Sequence, residues 1–163
     1  MIKRIFIITT FLLGAVSTIQ SQEFSKHALG LRLGDNDGFG IEVSYQLGLN
    51  SENRLEFDLG WRDERYFNAI KMAGIYQWVF NLDKGFNWYV GPGGGLIFVD
   101  YDNDTIKGDD SDAFVFIAGD IGIEYNFDIP LLISLDLRPE IAFGDNHHDD
   151  LDFDIGIGIR YQF

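Results

Sequence analysis

The segment from Leu151 to Phe163 alternates without a break. Leu151, Phe153, Ile155, Ile157, Ile159, Tyr161 and Phe163 are apolar, and Asp152, Asp154, Gly156, Gly158, Arg160 and Gln162 stand between them. A period of two puts the two sets on opposite faces of a strand. The same alternation recurs over 28–34, 39–48, 54–62, 69–80, 86–98, 113–127 and 131–143, with Gly, Asn or Asp between segments. Across all of these strands one face carries no charge, no amide and no aliphatic hydroxyl. Its only departures from plain hydrophobes are Gly74, Gly94, Gly119, Pro92 and Pro139. The other face carries Arg32, Glu42, Arg54, Glu56, Asp58, Arg62, Lys71, Asp120, Glu124, Asp136, Arg138, Glu140, Asp152, Asp154 and Arg160, with Gly and Ala in many of the remaining places. A partition this strict demands a sheet with one wholly apolar side.

Composition narrows the classes. The chain has 163 residues, one domain's worth, with 46% hydrophobic residues, which is too many for a disordered chain. With no Cys, it has no disulfide, thiolate metal site or thiol nucleophile. A net charge of −14 argues against binding nucleic acid through its phosphates. At the start, Lys3 and Arg4 precede an apolar run from Ile5 to Val16, and small and polar residues follow from Ser17 to Gln22. That run is too short to span a bilayer and reads as a signal peptide over 1–21, with the barrel over 22–163. Losing Lys3 and Arg4 makes the exported chain more acidic still.

Two closed sheets use such alternation. A soluble up-and-down barrel turns its apolar face inward, and a membrane barrel turns it outward. An eight-stranded barrel has an interior just wide enough for side chains, so the face rich in Leu, Ile, Phe and Trp overfills it and the Gly- and Ala-rich face fits. Aromatics gather at strand ends, with Trp78, Phe80, Phe86, Trp88, Tyr125, Phe127, Tyr161 and Phe163 toward one end and Phe39, Trp61, Phe98, Phe143 and Phe153 toward the other. Ile117, Ile121, Leu135 and Ile157 lie between them, as in interfacial girdles around an aliphatic band. Closure also removes strand edges, which lipid cannot satisfy. The sequence therefore predicts an all-β, closed eight-stranded antiparallel up-and-down transmembrane β-barrel, preceded by a cleavable signal peptide.

The connections fall into two sets. Residues 48–53, 81–85 and 128–130 form one set; 35–38, 63–68, 100–112 and 145–150 form the more acidic other. With the barrel starting in the periplasm, the acidic set faces outside and both termini are periplasmic.

A signal peptide, eight alternating strands and a last strand ending Arg160-Tyr161-Gln162-Phe163 resemble the small outer-membrane barrel families of the OmpA and OmpX type. The resemblance covers essentially the whole exported chain and is one of pattern. It implies residence in the outer membrane of a Gram-negative bacterium. It implies delivery by periplasmic chaperones and insertion by the barrel-assembly machinery, with Tyr161 and Phe163 as the insertion signal. It assigns no activity, because these families are functionally mixed.

The inward charges are expected to pair in one network that plugs the barrel, since a dry interior does not hold unpaired charges. The leading functional reading is a monomer with an envelope or surface-interaction role through its acidic loops. The alternatives are a narrow channel and a secreted soluble barrel carrying a small apolar ligand. Asp100-Tyr101-Asp102-Asn103-Asp104 begins like a calcium loop, but Thr105 and Ser111 stand where Gly and Glu are required. His147-His148-Asp149-Asp150 reads as a polar turn, and Gly91-Pro92-Gly93-Gly94-Gly95 lacks the Lys-Ser/Thr of a phosphate loop. His27, His147 and His148 are the only histidines and none is placed with a Ser nucleophile, so no enzyme, metal or cofactor is expected. Pro92 and Pro139 each delete a ladder donor and are expected at bulges or bends.

Overall fold

A computed structural model describes residues 25–34, 40–64, 67–101, 111–143 and 151–163. The expected signal peptide, the calcium-like loop beyond Tyr101 and the expected His147-His148 turn lie outside the described residues. The strands are β1(His27–Gly34), β2(Glu42–Gly48), β3(Asn53–Glu64), β4(Phe67–Asp83), β5(Phe86–Tyr101), β6(Ser111–Asn126), β7(Leu131–Phe143) and β8(Leu151–Gln162). Each pairs antiparallel with its sequence neighbours, and β1 pairs with β8 to close the barrel. No cis peptide occurs among the described residues.

One end carries short turns. Between β2 and β3 the Asn50 Oδ1 accepts from the backbone N–H groups of Glu52 and Asn53, each at 2.9 Å, the local closure that Asn provides in turns. Between β4 and β5 only Lys84 and Gly85 intervene, with φ of 35° and 91°. Positive φ at both central residues is what a tight hairpin needs to follow the strand twist.

At the other end the strands outrun the alternation. The predicted break over 63–68 is largely ladder, with Asp63 opposite Asn68 and Glu64 opposite Phe67. β5 runs to Tyr101, and β6 begins at Ser111. The reason lies in the outward rows. Trp61, Ile70, Phe98 and Ala113 are laterally paired across β3 to β6. The next outward row is Asp63, Asn68 and Asp100. Once the outward residues turn polar, the apolar alternation that marks the strand ends before the strand does. β2 begins at Glu42 rather than 39, its ladder to β3 ending at Glu42 opposite Gly60.

The prolines do not make bulges. The β4–β5 register is the same before and after Pro92, and the β6–β7 register the same before and after Pro139. The β4–β5 ladder instead skips from Ile75 opposite Gly93 to Trp78 opposite Val90. The β6–β7 ladder skips from Ala118 opposite Glu140 to Ile121 opposite Leu137. Each proline omits its donor on one side and stays in register on the other, opposite Gly119 and Phe153 respectively. The irregularity lies at Asn81/Asp83, beside the Lys84-Gly85 turn.

The faces are inverted relative to a soluble barrel. Leu31, Ile117 and Ile157 are 46%, 53% and 48% exposed on the outside, while Arg32 and Arg138 are 0% exposed. At the short-turn end the outward aromatics interlock. Phe80 stacks on Trp88 at 4.5 Å, and Tyr125 contacts Phe86 at 4.5 Å and Phe127 at 4.7 Å.

Inward glycines leave room for large neighbours. A Cβ on Gly156 meets Arg32 Cζ at 2.5 Å, one on Gly95 meets the Phe116 ring at 2.7 Å, and one on Gly122 meets Tyr89 and the Leu135 carbonyl. Outward Gly74 is different, because a Cβ there meets the Phe57 ring at an ordinary 3.8 Å. Gly122→Val is therefore expected to destabilise by about 1–3 kcal/mol or more through overpacking, and Gly74→Ala to fold like the parent. The fraction of unheated protein running at the folded position on a denaturing gel measures both.

Candidate functional site in the barrel interior

Each interior side chain is set by strand parity. β1 aims Arg32 inward between Leu31 and Leu33, and β7 does the same for Asp136, Arg138 and Glu140 between Leu135, Leu137, Pro139 and Ile141. The result is a set of arginine hubs that tie distant strands together.

Arg32 binds three strands. Its Nε donates to Asp136 Oδ1 at 2.9 Å, and its NH1 donates to Asp154 Oδ2 at 2.5 Å and Glu42 Oε2 at 3.1 Å. Its NH2 also bridges Asp136. Arg138 reaches across the lumen to β3, donating from NH1 to Asp58 Oδ2 and from NH2 to Glu56 Oε1, both at 2.9 Å. Asp120 Oδ1 lies 3.8 Å from its Nε. Arg160 donates to Ser44 Oγ at 2.9 Å and Ser134 Oγ at 2.8 Å, and its NH2 lies 3.2 Å from Glu56 Oε2. Arg54 donates to Gln77 Oε1 at 2.6 Å, pairs with Glu124 at 2.6 Å, and lies 4.8 Å over the Tyr89 ring.

Lys71 stands apart. Its Nζ donates to both Glu140 oxygens, at 2.8 and 2.6 Å, and sits 5.1 Å over the Phe116 ring. Beside it Phe116, Ile75, Ala73 and Ala118 form an apolar cluster, with Ile97 and Ala142 packed against it. Ile75 is 0% exposed and Phe116 1%. The lumen at this level is occupied by side chains.

The structure thus brings together Arg32, Glu42, Arg54, Glu56, Asp58, Asp120, Glu124, Asp136, Arg138, Asp154 and Arg160, and pairs Lys71 with Glu140 beside them. Arg62 is half-buried. Asp152 has inward parity but is exposed, because β8 there continues beyond the Gly34–Gly156 pair where its described ladder to β1 ends. Sequence reasoning passed over the neutral linkers. Gln46 donates to Glu56 at 2.6 Å, Gln77 to Asp120 at 2.5 Å, and Asn87 to Glu124 at 3.1 Å. Inward parity was the signal that marked them, since each lies on the charged face of its strand.

Around Arg32, Arg138 and Arg160 the carboxylates Glu42, Glu56, Asp58, Asp120, Asp136 and Asp154 outnumber the guanidinium groups. No cluster of three or more His, Cys, Asp or Glu among the described residues has the geometry to hold a metal ion. What the arrangement does is cross-brace: β1 to β2, β7 and β8, β3 to β6, β7 and β8, and β4 to β7. Removing one partner of a buried pair strands a charge, whereas removing both does not. Arg138→Met is therefore expected to cost about 3–5 kcal/mol, and Lys71→Met with Glu140→Gln together to be near neutral. Urea unfolding in lipid vesicles measures both.

No protein-family model and no curated protein sequence matches the chain. Solved structures do. The crystal structure of Neisserial surface protein A (NspA) aligns with a TM-score of 0.62 at 12% identity, covering 84% of this chain and 94% of that one. The N-terminal β-barrel domain of Pseudomonas aeruginosa OprF aligns with a TM-score of 0.59 at 15% identity, covering 86% and 98%. A de novo designed transmembrane β-barrel aligns with a TM-score of 0.50 at 16% identity, covering 88% and 100%. At these identities the likeness is one of fold: this chain has the closed eight-stranded architecture of small outer-membrane barrels.

Proposed function

We propose that the protein is an integral outer-membrane barrel of a Gram-negative bacterium. The carrying observation is the inversion of the faces. Large apolar side chains cover the outside, ion pairs fill the inside, and the outward apolar rows stop at Trp61, Ile70 and Phe98 before the polar row of Asp63, Asn68 and Asp100. A barrel carrying an apolar ligand in water has the opposite partition. The fold shared with the outer-membrane barrels supports the same reading.

The role we assign is non-enzymatic: envelope integrity or surface contact, with the interior as a structural plug. The filled lumen favours a plug over a narrow channel. β3 to β6 continue their pairing past the apolar rows and lift Asp63, Asn68 and Asp100 clear of them. That raised acidic edge is the surface we assign to contact. We place the short-turn end in the periplasm, with both termini there, and read the protein as a monomer. Tyr161 and Phe163 then act as the insertion signal for the assembly machinery after delivery by chaperones. Outer-membrane lipid is the permanent partner.

Fractionation tests residence: the chain should stay with the outer membrane after carbonate or urea washing, and an aqueous, detergent-independent chain sinks the proposal. The absence of Cys makes topology directly readable. In intact cells Asp100→Cys should react with a membrane-impermeant maleimide, and Asp128→Cys should react only after the outer membrane is broken. The reverse pattern inverts the orientation.

A further inference from the structure

The ladders that hold β1 in the wall, the β1–β8 seam among them, are shorter than those between the long strands β3 to β6. β1 has 8 residues against 17 in β4 and 16 in β5 and β6. Among the described residues its ladder to β8 runs only from Ala28–Gln162 to Gly34–Gly156, and its ladder to β2 only from His27–Leu47 to Arg32–Glu42. Side chains anchor β1 at two points. Near one end Arg32 ties it inside to Glu42, Asp136 and Asp154. At the other end His27 ties it outside.

The His27 ring lies between two others. It stacks on Tyr45 of β2 at 6.1 Å and 20°, and on Phe163 beyond β8 at 5.5 Å and 21°. Phe163 stacks in turn on Tyr161 at 6.3 Å and 21°. His27 Nδ1 is 2.8 Å from the Tyr45 hydroxyl. The backbones are joined as well, Phe163 N–H donating to the His27 carbonyl at 2.9 Å and His27 N–H to the Phe163 carbonyl at 3.3 Å. One half-buried imidazole therefore bridges three consecutive strands where the seam ladder ends.

We propose that His27 is the clasp of the seam, and that its aromatic stack sets how often β1 separates from β8. The inference rests on the membrane reading. Breaking ladder hydrogen bonds in contact with hydrocarbon is prohibitive, because nothing there replaces them. Separation must begin at an end where water solvates the freed amides. The Arg32 end is cross-braced by three buried carboxylates. Beyond its backbone hydrogen bonds, the His27 end is held only by stacking and one side-chain hydrogen bond rather than by buried ion pairs, so it yields first.

The test is amide hydrogen exchange on the barrel folded in phosphatidylcholine vesicles, read separately for β1, β8 and the β4–β5 hairpin. His27→Ala should speed exchange in β1 and β8 about three- to tenfold, the scale of a lost aromatic pair, and leave β4–β5 unchanged. His27→Phe keeps the stack and should recover most of the protection. Tyr45→Phe keeps the ring without the hydroxyl and should show a smaller loss. His27→Ala and Phe163→Ala combined should fall short of the sum of their separate effects, because they share one contact. Phe80→Ala removes a stacked pair away from the seam and is the control. If His27→Ala exchanges no faster than Phe80→Ala at β1, or speeds every strand alike, the clasp is wrong. If the unsubstituted chain does not insert into the vesicles at all, the membrane reading fails instead.

Discussion

A charged side chain enclosed by eight strands is cut off from bulk water. Everything in this barrel follows from that. Arg32, Arg138 and Arg160 are each 0% or 1% exposed, and each must find its acceptors on other strands. They do so by reaching across the lumen, which fixes how the strands are disposed about it. Arg138 to Glu56 and Asp58 joins walls about eighty residues apart in sequence. The reach in turn requires space at the base of each guanidinium, and the inward glycines supply it. Gly156 is a seat for Arg32 as much as a piece of strand.

The outside obeys the complementary constraint. With hydrogen bonds closed around the ring and charges paired within, the outer surface has only hydrocarbon to present. The aliphatic band between aromatic ends is what remains when every polar group has been assigned elsewhere. The band's limit is marked by side chains rather than by strand ends, since β3 to β6 continue pairing after the outward residues turn polar. The resulting molecule is unequal around its circumference. Long hairpins form a tall wall on one side, and the short β1 and β2 form the low side that contains the seam.

Much of this was legible in the residues. The alternation from Leu151 to Phe163 assigns each side chain to a face, and eight such segments with short and long connections in turn define an up-and-down barrel. The choice between inside and outside was also legible, because large residues on one face and Gly, Ala and charges on the other fill an eight-stranded ring in only one sense. Three features escaped. The upper ends of β3 to β5 turn polar outward at Asp63, Asn68 and Asp100, so the outward apolar period stops before the strands do. The prolines suggest a bulge or a bend, yet neither makes a bulge, because the strand omits two ladder pairs while keeping register. Gln46, Gln77 and Asn87 drew no notice, because an amide on a charged face does not stand out until its partners are known.

The sequence by itself determined which face every strand residue occupies, since parity is a local property of extended backbone. Only the tertiary structure decided who pairs with whom. Parity places Arg138 and Asp154 both inside but does not say that Arg138 turns to Glu56 and Asp58 while Asp154 goes to Arg32. That choice depends on register and on which strands face each other across the closed ring. The same holds for His27, an unremarkable residue at the start of a strand until closure brings Tyr45 and Phe163 to either side of its ring.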